Sequence, residues 1–302
     1  MTTIRNRVAE RGTSMGARVL RRLPIGAQSA PYELFDLRPC GPLIGAEVHG
    51  VDLREPVGPE LFAELDRALL EWKVLFFRDQ PIDSGRHRAF ARLWGELEVH
   101  PFLAQGDVPE VVRFAKDAAM VGVENVWHTD VTWRQEPALG SVLRAVEVPE
   151  FGGDTLWADM AAAYDNLPAD VQERIEGLTA VHDFAFSFGR AMDPDRFAAM
   201  RAQYPPAEHP VVRTHPVTGR KTLFVNEVFT DHIVGLADDE SEELLALLCK
   251  QATYPEYQVR FRWQPDSVAI WDNRATVHYA TNDYHPNVRV MERAAILGER
   301  PY

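Results

Sequence analysis

The segment Trp127-His128-Thr129-Asp130-Val131-Thr132-Trp133 sets an imidazole and a carboxylate two residues apart. In an extended chain, residues i and i+2 leave the same face, so His128 and Asp130 can grip one metal ion together. Such a triplet is common on its own. A second histidine that completes a ligand set gives it weight. His278 lies 150 residues further on, in Trp271-Asp272-Asn273-Arg274-Ala275-Thr276-Val277-His278-Tyr279-Ala280, just after an apolar run. Two histidines and one carboxylate can cover one face of an octahedral ion and leave three positions open. That suits non-haem Fe(II) oxygen chemistry, with a chelating 2-oxo acid in two open positions and dioxygen in the third. The same three ligands also suit a zinc hydrolase acting through metal-bound water. A non-catalytic binding protein is a third reading. Arg289 follows His278 by eleven residues and Arg293 comes four later.

Elements must bring these distant residues together. Leu43 to Val48 followed by Gly50-Val51-Asp52 reads as strand, turn, strand. Residues 59–72 carry Leu61, Phe62, Leu65, Leu69 and Leu70 at helical spacing behind Pro59-Glu60. Val74 to Phe77 is a short, wholly apolar run that suits a buried strand, and residues 84–95 are again helical. Ser141 to Val148 reads as a strand, and residues 159–178 as two short helices broken at Leu167-Pro168. Asp238 to Ala252 is a helix with acids at its start. Val259, Phe261 and Trp263 alternate with Gln258, Arg260 and Arg262, the period of a half-buried strand. Ser267 to Trp271 and Arg293 to Leu297 are further strands. Short strands separated by turns predict a mainly β sandwich or barrel with helices packed outside.

Composition narrows the classes. The chain has 302 residues, 46% hydrophobic and 25% charged, with a net charge of −13. It lacks the ~18 uninterrupted apolar residues of a membrane helix, so no membrane partner is expected. The negative charge disfavours nucleic acid. Cys40 and Cys249 are far apart and show no metal spacing, which points to a reducing, cytoplasmic location. Residues 1–30 hold six arginines and one acid and read as a disordered basic arm, leaving one domain over 31–302.

The chain resembles the taurine dioxygenase and 2,4-dichlorophenoxyacetate dioxygenase family of Fe(II)/2-oxoglutarate enzymes, and more closely the taurine branch. The resemblance runs from about Gly41 to Tyr302. It rests on the His128 block and on Gly152-Gly153-Asp154-Thr155-Leu156-Trp157. His209 to Pro216, Leu223-Phe224-Val225-Asn226-Glu227 and Trp271 to Ile296 also carry it. It implies a double-stranded β-helix, a cupin-like jelly roll, with Fe(II), 2-oxoglutarate and O2 as cofactors. By the same resemblance His128, Asp130 and His278 are the catalytic iron ligands. Arg289 and Thr155 would bind the distal carboxylate of 2-oxoglutarate, where a planar guanidinium can make two parallel hydrogen bonds. Arg293 would lie beside the cosubstrate and, with His100, meet the substrate anion. Asn125, Val131, Phe188 and Phe229 would line the substrate pocket.

Two positions depart from the taurine enzyme's pattern. Leu103 stands where that enzyme has tyrosine, and Glu124 where it has a substrate-contacting asparagine, with Asn125 one step displaced. The expected reaction is hydroxylation of a small anionic substrate, releasing succinate and CO2. A sulfonate such as taurine, an alkyl sulfate or a carboxylate all fit. Hydroxylation or desaturation of a biosynthetic intermediate with the same cofactors is the alternative. The family resemblance further implies a homodimer or homotetramer.

Overall fold

A computed structural model describes residues 16–103 and 107–302. Fifteen strands among the described residues, numbered in chain order, form the frame. The large sheet has the order β1 (Asp36–Pro39), β2 (Ala46–His49), β3 (Val74–Phe77), β13 (Val268–Asp272), β5 (Gly140–Glu147), β15 (Arg289–Ile296) and β4 (Val111–Lys116). A smaller sheet pairs β12 (Gln258–Phe261), β6 (Thr155–Asp159) and β14 (Thr276–Ala280). A third joins β11 (Thr230–Ile233), β7 (Thr179–His182) and β8 (Ala207–Pro210), and β9 (Val212–Thr214) pairs with β10 (Lys221–Leu223).

The two-residue period of the strands sorts the core. On β3, Val74 and Phe76 point between the large and small sheets, while Leu75 and Phe77 point to the outer helices. Phe76 stacks on Phe261 of β12 with ring centroids 4.0 Å apart, and Trp157 of β6 meets Trp271 of β13 at 5.6 Å. This aromatic layer binds the sheets face to face as a jelly roll. The outer face of the large sheet is covered by α1 (Pro59–Trp72) and α2 (Ser84–Ala91).

The helices start and stop where their residues dictate. Helix α1 begins with Pro59 and buries Leu65, Ala68, Leu69 and Trp72. It ends at Lys73, whose left-handed backbone lets its N–H donate to the Leu69 carbonyl. Asp83 caps α2 by accepting from the Arg86 N–H. Asp159 caps α3 (Met160–Asp165) by accepting from Ala161 and Ala162. Helices α4 (Ala169–Ile175), α5 (Pro194–Gln203) and α6 (Asp238–Cys249) complete the set. The break expected at Leu167-Pro168 separates α3 from α4.

Two readings of the amino-terminal region are corrected. The first hairpin pairs Asp36–Pro39 with Ala46–His49, whereas Leu43 and Ile44 lie buried in the bend between them and Gly50–Asp52 forms no strand. Residues 1–15 of the basic arm lie outside the described residues. From Gly16 to Ala30 the arm has no regular secondary structure, yet it is held to the body. Arg21 pairs with Asp165 at 2.8 Å and Arg22 with Glu71 at 3.1 Å. Arg220 donates to the Arg21 carbonyl at 2.7 Å. Arg21 and Arg22 are therefore anchors, and residues 16–30 form a strap.

Histidines in this core set an acid limit on stability. His87 is buried with Nε2 2.9 Å from the Val142 carbonyl, and burial pulls its pKa down to about 4. Burial likewise lowers His209 to about 4 and His182 well below the ordinary value. These groups stay neutral in the fold but protonate near pH 6.5 when unfolded. Their contribution is complete above pH 6.5 and is lost as pH falls toward 4, at about 1.4 kcal/mol per pH unit for each. Melting temperature should drop steadily over that window, and His87→Gln should flatten the drop. A flat profile between pH 6.5 and 4.5 contradicts this account.

Candidate active site

The two histidines are brought together by backbone pairing. His128 and His278 form an isolated antiparallel bridge, with His128 N donating to the His278 carbonyl at 3.0 Å and the reverse bond at 2.7 Å. His278 is on β14, and its ring lies 4.2 Å from that of His128, centroid to centroid. His128 belongs to no longer strand; past the bridge the chain turns at Asp130. The turn uses Val131 at φ 50, a conformation that costs a β-branched residue about 1–3 kcal/mol. It swings the Asp130 carboxylate back beside the rings. His278 Nε2 lies 3.8 Å from Asp130 Oδ1, and one ligand atom from each of the three residues falls within 4.8 Å of the others.

Neighbours fix the chemistry of each ligand. His128 Nδ1 lies 2.8 Å from the Val126 carbonyl and donates to it, which leaves Nε2 with its lone pair free. Asp130 Oδ2 accepts from Ser141 Oγ at 2.8 Å, and Oδ1 accepts from Arg293. Burial alone would raise the Asp130 carboxyl. Arg293, the two histidines and the Ser141 hydroxyl outweigh it and hold the group below the ordinary carboxylate range. Burial first, and His128 next, lower His278 to about 3. An ionised Asp130 and a neutral His278 are protonation states a divalent ion requires of its ligands.

The histidines open into a cavity of about 690 Å3 that also contains Thr155, Trp271, Arg289 and Arg293. Arg289 and Arg293 share one face of β15. Arg289 is only 8% exposed; its Nε donates to the Gly153 carbonyl at 3.0 Å, and its Nη2 has no partner. Gly153 is required here: at φ 69, a Cβ would come within 2.9 Å of Arg289 Cδ. Thr155 Oγ1 accepts from Trp263 Nε1 at 2.9 Å, so its own proton is free to donate into the cavity. A buried guanidinium with an idle donor, facing a free hydroxyl, is a receptor for a carboxylate.

A second cavity of about 1670 Å3 adjoins the first and shares His128, Glu124 and Arg293 with it. His100, Leu103, Val131, Phe188 and Phe229 line it. His100 Nδ1 accepts from the Phe102 N–H at 3.2 Å, so the ring proton sits on Nε2, which is buried without a partner among the described residues. Burial and then Arg293 lower its pKa to about 3, leaving a neutral donor. Phe188 stacks against Phe229 at 6.3 Å. Asn125 is not brought here. Glu124 and Val126, its neighbours on either side, line the cavity, so the extended chain turns the Asn125 side chain outward, where it is exposed. The polar residues that brace the site, Ser141, Thr132 and Asn226, carry no site role in the sequence, because no spacing marks a single buried hydroxyl or amide.

The Taurine catabolism dioxygenase TauD, TfdA family matches the chain over residues 36–295. The chain belongs to this family. It is 37% identical to an alpha-ketoglutarate-dependent sulfate ester dioxygenase of Pseudomonas putida, covering 90% of this chain and 93% of that protein. It is 38% identical to the alpha-ketoglutarate-dependent 2,4-dichlorophenoxyacetate dioxygenase of Cupriavidus pinatubonensis, covering 86% and 97%. A solved taurine dioxygenase from Burkholderia xenovorans superposes with a TM-score of 0.77 at 39% identity, covering 89% and 91%. The protein is therefore a dioxygenase with a jelly-roll fold that uses Fe(II), 2-oxoglutarate and O2, and the zinc-hydrolase reading of its triad falls. It acts on a small molecule. No helix among the described residues is long and apolar enough to cross a membrane.

Proposed function

We propose that His128, Asp130 and His278 hold Fe(II), that Arg289 and Thr155 bind the distal carboxylate of 2-oxoglutarate, and that the larger cavity takes an anionic substrate with an apolar tail. The observation that carries this reading is the placement of the idle Arg289 Nη2 in the same cavity as both histidines. Iron and 2-oxoglutarate supply oxidative decarboxylation to succinate and CO2, coupled to oxygen insertion into a substrate C–H bond. The chain's own residues hold and orient. Arg289 and Thr155 fix the far end of the cosubstrate. Arg293, which lines both cavities, would offer its charge to the substrate anion, and His100 Nε2 would donate to it. Val131, Phe188 and Phe229 cover the tail and exclude water.

Sulfate esters, sulfonates and aryloxyacetates all present an oxyanion on an apolar body. Leu103 and the two phenylalanines favour a larger apolar tail than that of taurine. Succinate release should therefore be stimulated more by hexyl sulfate or an aryloxyacetate than by taurine, in the Fe(II)-loaded protein with 2-oxoglutarate and oxygen. Taurine as the best member of the panel overturns the tail assignment; no succinate with any member overturns the site. We further propose a cytoplasmic enzyme, consistent with the free thiols of Cys40 and Cys249, whose dioxygenase domain spans 31–302. A homodimer or homotetramer is proposed from the family, and sedimentation equilibrium tests it.

A further inference from the structure

We propose that Asn226 and Thr132 form a positioning link between the metal-ligand turn and the aromatic wall of the substrate cavity. This rests on the assignment of Asp130 to the metal. Asn226 is buried, and its side chain spans the two structures. Its Oδ1 accepts from the backbone N–H groups of Val228 at 3.1 Å and Phe229 at 2.9 Å, which shape the wall. Its Nδ2 donates to Thr132 Oγ1 at 3.0 Å. Thr132 lies two residues beyond Asp130, next to the strained Val131. The Thr132 hydroxyl is held from two sides: it accepts from Asn226 and is hydrogen-bonded with His182 Nδ1 at 2.9 Å, a ring that burial keeps neutral. The Thr132 carbonyl accepts from His209 Nε2 at 2.9 Å.

Thr132 is thus fixed through both its side chain and its carbonyl, and one of these restraints leads directly to Phe229. A turn held in a left-handed conformation needs such outside restraint. The same bonds make the restraint reciprocal. Whatever orders the Asp130 turn orders the Phe229 wall, and a tail pressed on Phe229 steadies Asp130.

Amide hydrogen exchange reads this link directly, because the Val228 and Phe229 N–H groups are the ones bound to Asn226. Mn(II) with 2-oxoglutarate, without oxygen, is the probe. In the wild type it should slow exchange in both 126–134 and 224–232, the latter by about fivefold or more. Thr132→Val removes the hydroxyl but leaves Asn226 bound to the wall. In that variant the slowing should persist in 126–134 and vanish in 224–232. Thr132→Ser should restore it. Thr132→Ala removes the same hydroxyl with a smaller side chain, leaves Asn226 bound to Val228 and Phe229, and should behave like Thr132→Val if that variant fails to fold. Retained slowing of 224–232 in both cutting variants, or none in the wild type, overturns the link. Slowing of both segments in Asp130→Ala overturns instead the metal assignment beneath it.

Discussion

Asp130→Ala should leave a folded protein with turnover of 2-oxoglutarate below detection and affinity for Mn(II) reduced by more than roughly 100-fold. Loss of an outer-shell partner of a metal ligand typically costs about 10–100-fold, and here a ligand itself is removed. Charge makes the loss larger than for either histidine. Asp130 is the one anion of the set, buried at 3% exposure, and Arg293 pairs with it. Without the carboxylate, the two rings face an uncompensated guanidinium, which repels a divalent cation at the place where it should bind. Removing one partner of a buried pair costs about 3–5 kcal/mol, so the variant should also melt earlier. Asp130→Asn separates the two effects. It keeps shape and the Ser141 contact and loses only charge, so its melting temperature should stay closer to the wild type while Mn(II) binding still fails. Calorimetric titration with Mn(II) and a thermal melt on each variant decide it. Near-normal metal affinity in Asp130→Ala removes the triad from the mechanism.

How far the amino acids alone revealed this site depends on the range of each interaction. Helix α1 and strand β3 are legible because their apolar periods are local and long enough to read. The first hairpin is not: Asp36-Leu37-Arg38-Pro39 is an edge strand with exposed side chains, so no hydrophobic alternation marks it. Leu43 and Ile44 look like strand residues because they are buried, but they are buried in a bend. The order of the large sheet is invisible locally, since β13 sits between β3 and β5, both far from it in sequence. The pairing of His128 with His278 across 150 residues is of the same kind. The need for a second histidine made His278 a candidate, the resemblance made it a ligand, and a backbone bridge enforces the pairing. Asn125 shows the opposite error. The resemblance suggested a contact for it, one step displaced from the family's asparagine, but one step along an extended chain reverses the side chain.

Arg289→Ala should raise the concentration of 2-oxoglutarate needed for half-maximal succinate release by about 100-fold, with the organic substrate's dependence changed little. A hydrogen bond to a charged group contributes about 1.5–3 kcal/mol, and about 1.4 kcal/mol is a factor of ten. The guanidinium offers more than one donor to a single carboxylate, which places the loss toward the upper end. The structure supports a dedicated role because Arg289 does so little else. Its side chain makes one hydrogen bond, to the Gly153 carbonyl, and lies 5.8 Å from the Tyr284 ring centre. Among the described residues no carboxylate is within ion-pair distance, although the group is nearly buried. A cation kept dry without an anion costs stability unless a ligand supplies the anion, so 2-oxoglutarate should itself raise the melting temperature of the wild type and not that of Arg289→Ala. Arg289→Lys retains the charge but loses the planar fork, and should fall between the two. Arg293→Ala is the contrast: it should weaken the organic substrate as well, because Arg293 lines both cavities. An unchanged requirement for 2-oxoglutarate in Arg289→Ala moves the cosubstrate carboxylate elsewhere in the cavity, and Arg293 becomes the next residue to test.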